Sequence, residues 1–271
     1  MKIKIYQPDP QKGRRPPCRD PKDVLKSDAK NYSLVYEGEV SSIEDVIATF
    51  ENVERMPADY HGAPLHDGDL IVIGEQIHVV YTLDQWSDAE LRPVAKIEDF
   101  DLSQATNHTN QICGVFLPVG QYASIRWVSA DPELLYNELG LYNHQVVNIP
   151  FHMAQLVCTT EALDDWNPSP KDMNRALINN NWNPGAIGAV IQGDAFFCRY
   201  ADGVYRSLGE AQCKSLKDDY YRPERLHALK GGRLVAFQYY PETVKRKRSN
   251  DDYCHLEQIA CIYQETEKGS S

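Results

Sequence analysis

Residues 56–73, MPADYHGAPLHDGDLIVI, constrain the fold more than any other stretch of this 271-residue chain. Proline and glycine interrupt regular structure in the first part, whereas the β-branched residues 70–73 are typical of a buried strand. Gly74-Glu75 then gives the two-residue spacing of a β-hairpin, with residues 76–81 as its second strand. The sequence therefore predicts a structured turn that leads into a hairpin. Because histidines and aspartates crowd the turn, it is also a candidate functional loop.

Two strands and an amphipathic helix are predicted before this turn. Residues 2–6 alternate polar and apolar side chains, and residues 33–37 have the composition of a second strand. A helix is predicted over residues 42–53, with Ser41 and Glu44 at the spacing of a capping box. Its apolar side chains recur at helical spacing and form one face: Ile43, Val46, Ile47 and Phe50.

The second half of the chain has the same mixed character. Residues 130–140 predict a short helix, because three residues suit its N-cap, first turn and terminator: Asp131, Pro132 and Gly140. Another helix is predicted over residues 207–220, with Ser207 and Glu210 at capping-box spacing. Strand-like runs make up much of the remainder: 115–119, 122–128, 146–149, 155–159, 233–240, 258–263 and two runs around Gly193.

These patterns predict an α+β fold with two small mixed domains, each a short antiparallel-rich sheet with one or two helices. The polar, unpatterned residues 99–111 are the predicted linker. The first domain would span residues 1–104 and include a long basic loop at residues 8–30. The second would span residues 105–271 and end in the late strands.

The net charge of −11 is concentrated in the first domain. Residues 1–30 carry nine basic and four acidic residues, whereas residues 31–104 carry three basic and sixteen acidic residues. Phosphate neutralisation needs a basic surface, so bare nucleic acid is disfavoured as the main ligand. Four carboxylates lie on or beside the outer side of the first helix and form either a solvated face or an acidic docking surface: Glu44, Asp45, Glu51 and Glu54.

Cysteine usage and hydropathy favour an intracellular, soluble protein. The seven cysteines are scattered and form no CxxC pair, which argues against a disulfide framework and against a zinc ribbon. Residues 1–6 lack a signal-peptide pattern, and no apolar run approaches the ~18 residues of a membrane span. We therefore expect no membrane partner.

The chain has no complete catalytic or cofactor signature. The turn offers one alternative, because four of its side chains could hold a divalent cation: His61, His66, Asp67 and Asp69. The interpretation that we favour is that the aspartates cap turns and the histidines occupy a polar loop. On that interpretation no catalytic residue, metal ligand or cofactor is assigned.

Asn174 and Arg175 offer a second alternative, since arginine suits the geometry of a bound phosphate. No glycine-rich phosphate loop supports this assignment. A buried structural arginine paired with Asp172 or Asp194 is favoured instead.

A recognition loop is predicted in the Asn- and Pro-rich segment that contains Trp166 and Trp182, because tryptophan is enriched in binding hot spots. The basic residues 245–248 (KRKR) could contact nucleic acid or an acidic partner, although a solvated hairpin tip is favoured. The candidate partner-binding residues are therefore Glu44, Asp45, Glu51, Glu54, Asp59, Asp67, Asp69, Trp166 and Trp182.

Residues 34–97 resemble YodL-like domains, which combine a short amphipathic helix, a Pro-x-Asp-Tyr/Phe-x-Gly turn, an Asp-Gly/Val-Asp step and a strand pair. The corresponding residues here are Pro57-Ala58-Asp59-Tyr60-His61-Gly62 and Asp67-Gly68-Asp69-Leu70-Ile71-Val72. Such domains often continue into a Gly-Phe motif after the hairpin. This chain departs from that pattern and has Asp84-Gln85-Trp86 there.

Residues 122–226 are similar to a small uncharacterised α/β domain that recurs in phages, plasmids and integrative elements of Firmicutes. The resemblance rests on a helix ending at Gly140, an Asn174-Arg175 segment and an Ile191-Gln192-Gly193 step followed by Phe196-Phe197. It supplies no catalytic residues.

Together the two resemblances imply a protein of a phage or mobile element. Small acidic proteins of such elements often inhibit host defence, including CRISPR and restriction systems, although likeness of fold does not fix function. The expectation is a non-enzymatic cytoplasmic inhibitor that binds a host protein, such as a nucleic-acid-binding defence nuclease. Two alternatives stay open: a metal-dependent enzyme acting on nucleotides or nucleic acid, and a structural adaptor of a conjugative or phage assembly.

Overall fold

The computed structural model describes residues 1–12, 20–26, 28–83, 88–141, 144–149, 154–159, 173–178, 187–228, 234–238 and 241. Within these residues the sheets are mostly antiparallel and are accompanied by a few short helices. The predicted α+β fold class is confirmed. The proposed domain division between residues 104 and 105 stays a prediction.

The described part of the first sheet has six strands: β1 (Lys2–Pro8), β2 (Tyr32–Glu39), β3 (Leu70–Ile73), β4 (Gln76–Tyr81), β5 (Glu90–Lys96) and β6 (Thr106–Asn107). Their spatial order is β5-β4-β3-β1-β2-β6. Neighbouring strands pair antiparallel, except that β2 and β6 pair in parallel. The β3–β4 hairpin has its predicted bounds, and Gly74 adopts the left-handed φ of 59° that favours glycine in such a turn.

The helix α1 (Glu44–Phe50) packs its apolar face into a core beside the first sheet. Val46 and Phe50 are fully buried there. The Phe50 ring lies 5.2 Å from that of Tyr36 and 4.9 Å from that of Tyr60. Aromatic pairs at these separations stabilise a core beyond the area that they bury.

The predicted start and length of α1 were wrong. Residues 51–55 form bends and turns, so the helix is shorter than the predicted 42–53. Ser42, rather than Ser41, accepts a hydrogen bond from the Asp45 amide, at 3.3 Å. The serine that meets the first turn is thus one residue further along the chain.

Segments predicted to be loops pack into a second core of the first sheet. The short 3-10 helix Pro21–Lys26 buries Val24, and the short 3-10 helix Leu102–Gln104 buries Leu102. Both side chains pack with strand residues such as Leu70 and Val79. The interpretations of residues 8–30 as one long loop and of residues 99–111 as a linker were therefore wrong for these parts. In each of these otherwise polar segments, a buried apolar side chain anchors the chain to the core.

The main second sheet contains β7 (Gln111–Leu117), β8 (Ser124–Ser129), β9 (His144–Ile149), β10 (Ala154–Thr159) and β13 (Ala195–Ala201). Its order is β8-β7-β13-β10-β9, and β14 (Val204–Arg206) pairs with β13. Two further strand pairs are described: β11 (Met173–Ile178) with β12 (Ile187–Gln192), and β15 (Glu224–Ala228) with β16 (Leu234–Gln238). The predicted strand at residues 258–263 lies outside the described residues.

The helix α2 (Pro132–Leu139) begins and ends as predicted. The Asp131 side chain accepts a hydrogen bond from the Leu134 amide at 3.1 Å, and Pro132 occupies the first helical position. Gly140 ends the helix in a left-handed conformation with φ of 68°. Each of these features depends on local chemistry that the sequence displays directly.

The two faces of the second sheet are covered by different helices. Phe196 and Phe197 are adjacent on β13, so their side chains point to opposite faces. Phe196 packs in a core with Leu135 of α2, and Phe197 packs in a core with Leu216 of α3 (Glu210–Asp219). Both phenylalanines are fully buried.

Four cysteines are described, and all are buried free thiols: Cys113, Cys158, Cys198 and Cys213. They pack in the apolar cores of the second sheet, where a thiol behaves as a small apolar group. Burial raises the pKa of Cys158 to about 11, which makes its thiolate scarce near neutral pH. Cys18, Cys254 and Cys261 lie outside the described residues.

None of the helices in the described ranges combines the length and the apolar character needed to cross a lipid bilayer.

The stability of the first sheet is expected to depend on the protonation of His78 in β4. Burial lowers the pKa of His78 below its usual value, although backbone hydrogen bonds at Ile71 and Gln76 oppose this shift. The unfolded chain therefore takes up a proton at higher pH than the folded chain does. The contribution of His78 to stability is present above the unfolded pKa of about 6.5 and is lost as the pH falls through the folded pKa.

Urea unfolding between pH 8 and pH 5 tests this expectation. The free energy of unfolding should fall with pH more steeply for the wild type than for His78→Gln. Equal pH dependence of the two proteins would contradict the assignment to His78.

Candidate functional site

The turn at residues 56–69 lies between the two sheets and is anchored by Tyr60. The ring of Tyr60 is fully buried and packs at an edge-on angle against Tyr36, with centroids 5.5 Å apart. Its hydroxyl donates a hydrogen bond to the main-chain oxygen of Ala63. The turn is thus held from inside by an aromatic side chain that reaches the first core.

The same turn contacts the second sheet through the main-chain oxygens of Tyr60 and His61 and through the His61 imidazole. The amide and the hydroxyl of Ser207 each donate to the His61 oxygen at 2.9 Å. His61 Nδ1 lies 3.0 Å from the Tyr205 oxygen, so Nδ1 carries the proton that it donates. Arg206 Nη1 donates to the Tyr60 oxygen at 2.6 Å. Residues 205–207 are therefore joined to the turn by one main-chain hydrogen bond and by several bonds that involve side chains.

These contacts overturn the prediction that Ser207 caps a helix. The helix α3 begins at Glu210 with Gly209 as its N-cap. Ser207 Oγ instead donates to the turn and accepts from the Cys113 amide at 2.9 Å. The serine joins two elements that are distant in sequence, so local spacing alone misassigned it.

Asp69 is buried and cannot contribute to a surface contact. Its side chain accepts hydrogen bonds from Gln7 Nε2 at 2.7 Å and from the His66 amide at 3.0 Å, and the residue is only 3% exposed. Asp67 is half-buried, whereas His66 is exposed. The prediction of Asp69 as a partner-binding residue was wrong, because its carboxylate is buried. The two donors stabilise it there.

The four side chains considered for a cation do not converge. His61 donates to a main-chain oxygen, and His66 Nδ1 accepts from the Asp67 amide at 2.7 Å. Across the described parts of the chain, no group of three or more histidine, cysteine, aspartate or glutamate residues is arranged to hold a metal ion. The His66 imidazole and Asp69 form hydrogen bonds within the turn, whereas the His61 imidazole bonds to β14.

Trp127 of β8 connects the two sheets beside this turn. Its indole N–H donates to Asp9 Oδ1 at 3.1 Å, and its ring stacks on His108 with centroids 4.0 Å apart. The indole also packs against cores of both sheets. Burial opposes ionisation of Asp9, but hydrogen bonds from Trp127, Gln11 and Lys12 hold its pKa below the usual value. Nothing in the sequence indicated this pair, whose members are 118 residues apart.

A cavity of about 440 Å³ lies between the turn and the start of α3. Its walls include Leu65, Trp127, Leu208 and Arg199. Burial lowers the pKa of Arg199, while its Nη2 donates to Gln212 Oε1 at 3.1 Å. The volume lies within the range of small-molecule sites, which commonly occur between domains, but its carboxylates and arginine define no single ligand chemistry.

The clearest surface feature is a set of five exposed carboxylates that we term the acidic segment: Glu44, Asp45, Glu51, Glu54 and Asp59. None of the five forms an ion pair with another described residue. Their negative charge is therefore not neutralised by a lysine or arginine partner in the described parts of the fold. The structure confirms the predicted exposure of Glu44, Asp45, Glu51 and Glu54, although the last two lie beyond the end of α1. Helical spacing did not predict the exposure of Asp59.

An open groove of about 460 Å³ runs between α1 and β5, and we term it the α1–β5 groove. Five of its lining residues are apolar: Ile43, Ile47, Ala48, Ala89 and Leu91. The other four are acidic: Glu44, Glu51, Asp88 and Glu90. Two carboxylates of the acidic segment therefore border an apolar floor. The predicted helix indicated one wall, but the apposition of β5 was not visible in the sequence.

The remaining candidate residues Trp166 and Trp182, and the basic residues 245–248, lie outside the described residues. Their predicted roles stay predictions.

A scan against protein-family models found no match. Searches of curated proteins and of solved structures also found none.

Proposed function

We propose that this chain is a non-enzymatic protein of a phage or mobile element that binds and inhibits a host defence protein in the bacterial cytoplasm. The acidic segment would compete for a basic nucleic-acid channel of the target. The observation that carries this proposal is the exposure of all five carboxylates without an ion-pair partner among the described residues.

The physical argument rests on long-range attraction rather than on single ion pairs. An exposed ion pair contributes only about 0.2–1 kcal/mol, because both charges stay hydrated. Several like charges on one surface instead create a field that steers an oppositely charged partner and raises the association rate. Salt screens this field over roughly 10 Å at 0.1 M ionic strength. Binding through the acidic segment should therefore weaken as salt is added.

Charge reversal tests the proposal. The variant combines Glu44→Lys, Asp45→Lys, Glu51→Lys and Glu54→Lys, all at exposed positions. It is expected to lower protection of phage by about tenfold or more in cells that carry the susceptible defence system, because loss of steering slows association. Phage plating across defined defence systems measures protection, and pull-down with the corresponding nucleases measures binding.

A matched control makes the same change in net charge outside the acidic segment. It combines substitutions of four other exposed acidic residues to lysine: Glu75, Glu133, Asp218 and Asp219. The control should retain inhibition. If the acidic-segment variant inhibits as well as the wild type does, the electrostatic proposal fails.

A further inference from the structure

We propose that the α1–β5 groove is the docking site for a partner segment that carries apolar side chains flanked by lysine or arginine. This inference rests on the proposed function and specifies the partner chemistry that part of the acidic segment would recognise.

The described lining of the groove consists of apolar and acidic side chains. Among the described residues that line it, five are apolar and four are acidic, and neither basic nor neutral polar side chains occur. The four acidic residues are exposed, while most of the apolar residues are half-buried. The apolar floor of the groove is therefore accessible to water. A partner's apolar side chains would displace this water, and burial of such surface drives association.

The carboxylates stand on both walls of the groove. Glu44 begins α1, and Glu51, seven residues further on, is its C-cap residue and keeps a helical backbone conformation. The two residues therefore lie about two turns apart on one side of the helix, at about 10 Å. Asp88 lies two residues before Glu90, which begins β5, and both belong to the opposite wall. An occupant of the groove thus meets negative charge along both edges.

Most of this charge is available to a partner. The carboxylate of Glu90 is paired with Arg92. Glu44, Glu51 and Asp88 form no ion pair with any other residue in the described part of the chain. Charge complementarity therefore selects cations at the edges of the occupant, whereas a nucleic acid would bring phosphates against carboxylates. An apolar segment with basic flanks would pack on the apolar floor and pair with the carboxylates at the rim of the groove. Amphipathic segments bind other grooves in this way.

Fluorescence anisotropy with a labelled synthetic peptide tests the inference on the full chain. The probe is an amphipathic peptide of about fifteen residues, with leucine on one helical face and lysine elsewhere. One companion peptide replaces leucine with serine, and another replaces lysine with glutamate. Both companions should bind at least about tenfold more weakly than the probe, because each lacks one of the two required chemistries.

Three variants of the protein locate the binding. Ala48→Trp fills the groove from an exposed helical position, and Glu51→Lys reverses a rim charge. Each should weaken binding of the probe about tenfold or more. Glu75→Lys is the matched control, because Glu75 is exposed in the β3–β4 turn and belongs neither to the groove lining nor to the acidic segment. It should change the affinity by less than about threefold. Circular dichroism and thermal unfolding confirm that each variant is folded.

The outcomes separate this inference from the proposed function. If the serine companion binds as tightly as the probe, or if Glu75→Lys weakens binding as much as Glu51→Lys does, attraction is diffuse and the groove is not the docking site. Absence of saturable binding up to about 1 mM probe would also overturn the inference. Conversely, groove-specific binding combined with undiminished inhibition by the fourfold charge-reversal variant would retain the docking site and remove the inhibitory mechanism.

Discussion

Replacing Arg175 with methionine is expected to lower the free energy of unfolding by about 3–5 kcal/mol, the cost of breaking a buried charged network. Arg175 is fully buried in β11, and all five of its N–H donors have acceptors. Four of these acceptors are main-chain oxygens, at Pro118, Gln121, Tyr220 and Tyr221. Methionine would fill much of the volume but leave these buried carbonyls without their donors.

The segments that Arg175 joins explain why the effect should be large. Pro118 and Gln121 lie between β7 and β8, whereas Tyr220 and Tyr221 follow α3. One guanidinium therefore holds β11 against two other parts of the second half. A loss of this size is expected to lower the melting temperature by about 6–20 °C.

Equilibrium urea unfolding of Arg175→Met measures the loss. Arg126→Met is the control, because Arg126 is exposed on β8 and its guanidinium lies over the Phe116 ring at 4.2 Å. The control should cost no more than about 1 kcal/mol. If the two variants lose similar stability, the network at Arg175 does not stabilise the fold as argued.

Arg175 also shows how far sequence reasoning extends to a buried polar residue. Its interpretation as a structural arginine, rather than a phosphate ligand, agrees with its burial. The predicted partner Asp194 was wrong, because Asp194 accepts a hydrogen bond from the Val119 amide at 2.7 Å and main-chain oxygens take most of the guanidinium donors. Burial raises the pKa of Glu224 above its usual value, although a hydrogen bond from the Ala176 amide and the positive charge of Arg175 oppose this shift. Which segments surround a side chain depends on topology, and spacing does not encode it.

Local chemistry determined the features that could be predicted well. The β3–β4 hairpin and α2 have residues at their ends whose backbone or hydrogen-bonding preferences leave few alternatives: Gly74, Asp131, Pro132 and Gly140. Predictions failed where a long-range contact competed with a local one. Ser207 had capping-box spacing, but its hydroxyl bonds to the turn, 146 residues away in sequence.

In the candidate sites too, features that depend on local sequence could be predicted, whereas features that depend on long-range contacts could not. Helical periodicity predicted that the acidic side chains of α1 would be exposed, because the opposite side chains of that helix are apolar. The burial of Asp69 was not predicted, since its partner Gln7 is 62 residues away. The α1–β5 groove likewise depends on which strand lies beside the helix. Sequence patterns therefore indicated the surface charges, and the fold determined which of them border an apolar groove.

Replacing Arg206 with methionine is expected to lower the free energy of unfolding by about 2–4 kcal/mol, since a buried charged donor would be removed from its acceptors. Arg206 is 3% exposed, and its guanidinium donates to the oxygens of Tyr60 and Met56 at 2.6 Å and 3.4 Å. Burial lowers its pKa, while the nearby side chains of Tyr60 and Asp202 oppose that shift. Arg206 lies on β14, but its guanidinium donates to main-chain oxygens of the turn at residues 56–69. It therefore connects the second sheet to the first.

This position predicts a particular form of instability. The oxygens that lose their donor when Arg206 is replaced belong to the main chain of the turn. The turn should therefore separate from β14 before the packing of either core changes. Amide hydrogen exchange should therefore accelerate at residues 58–63 before it accelerates in β1 or β7. Arg55→Met is the matched control, because Arg55 is exposed and forms no ion pair with another described residue. Uniform acceleration across both sheets in Arg206→Met would instead indicate global destabilisation and contradict a role at the junction.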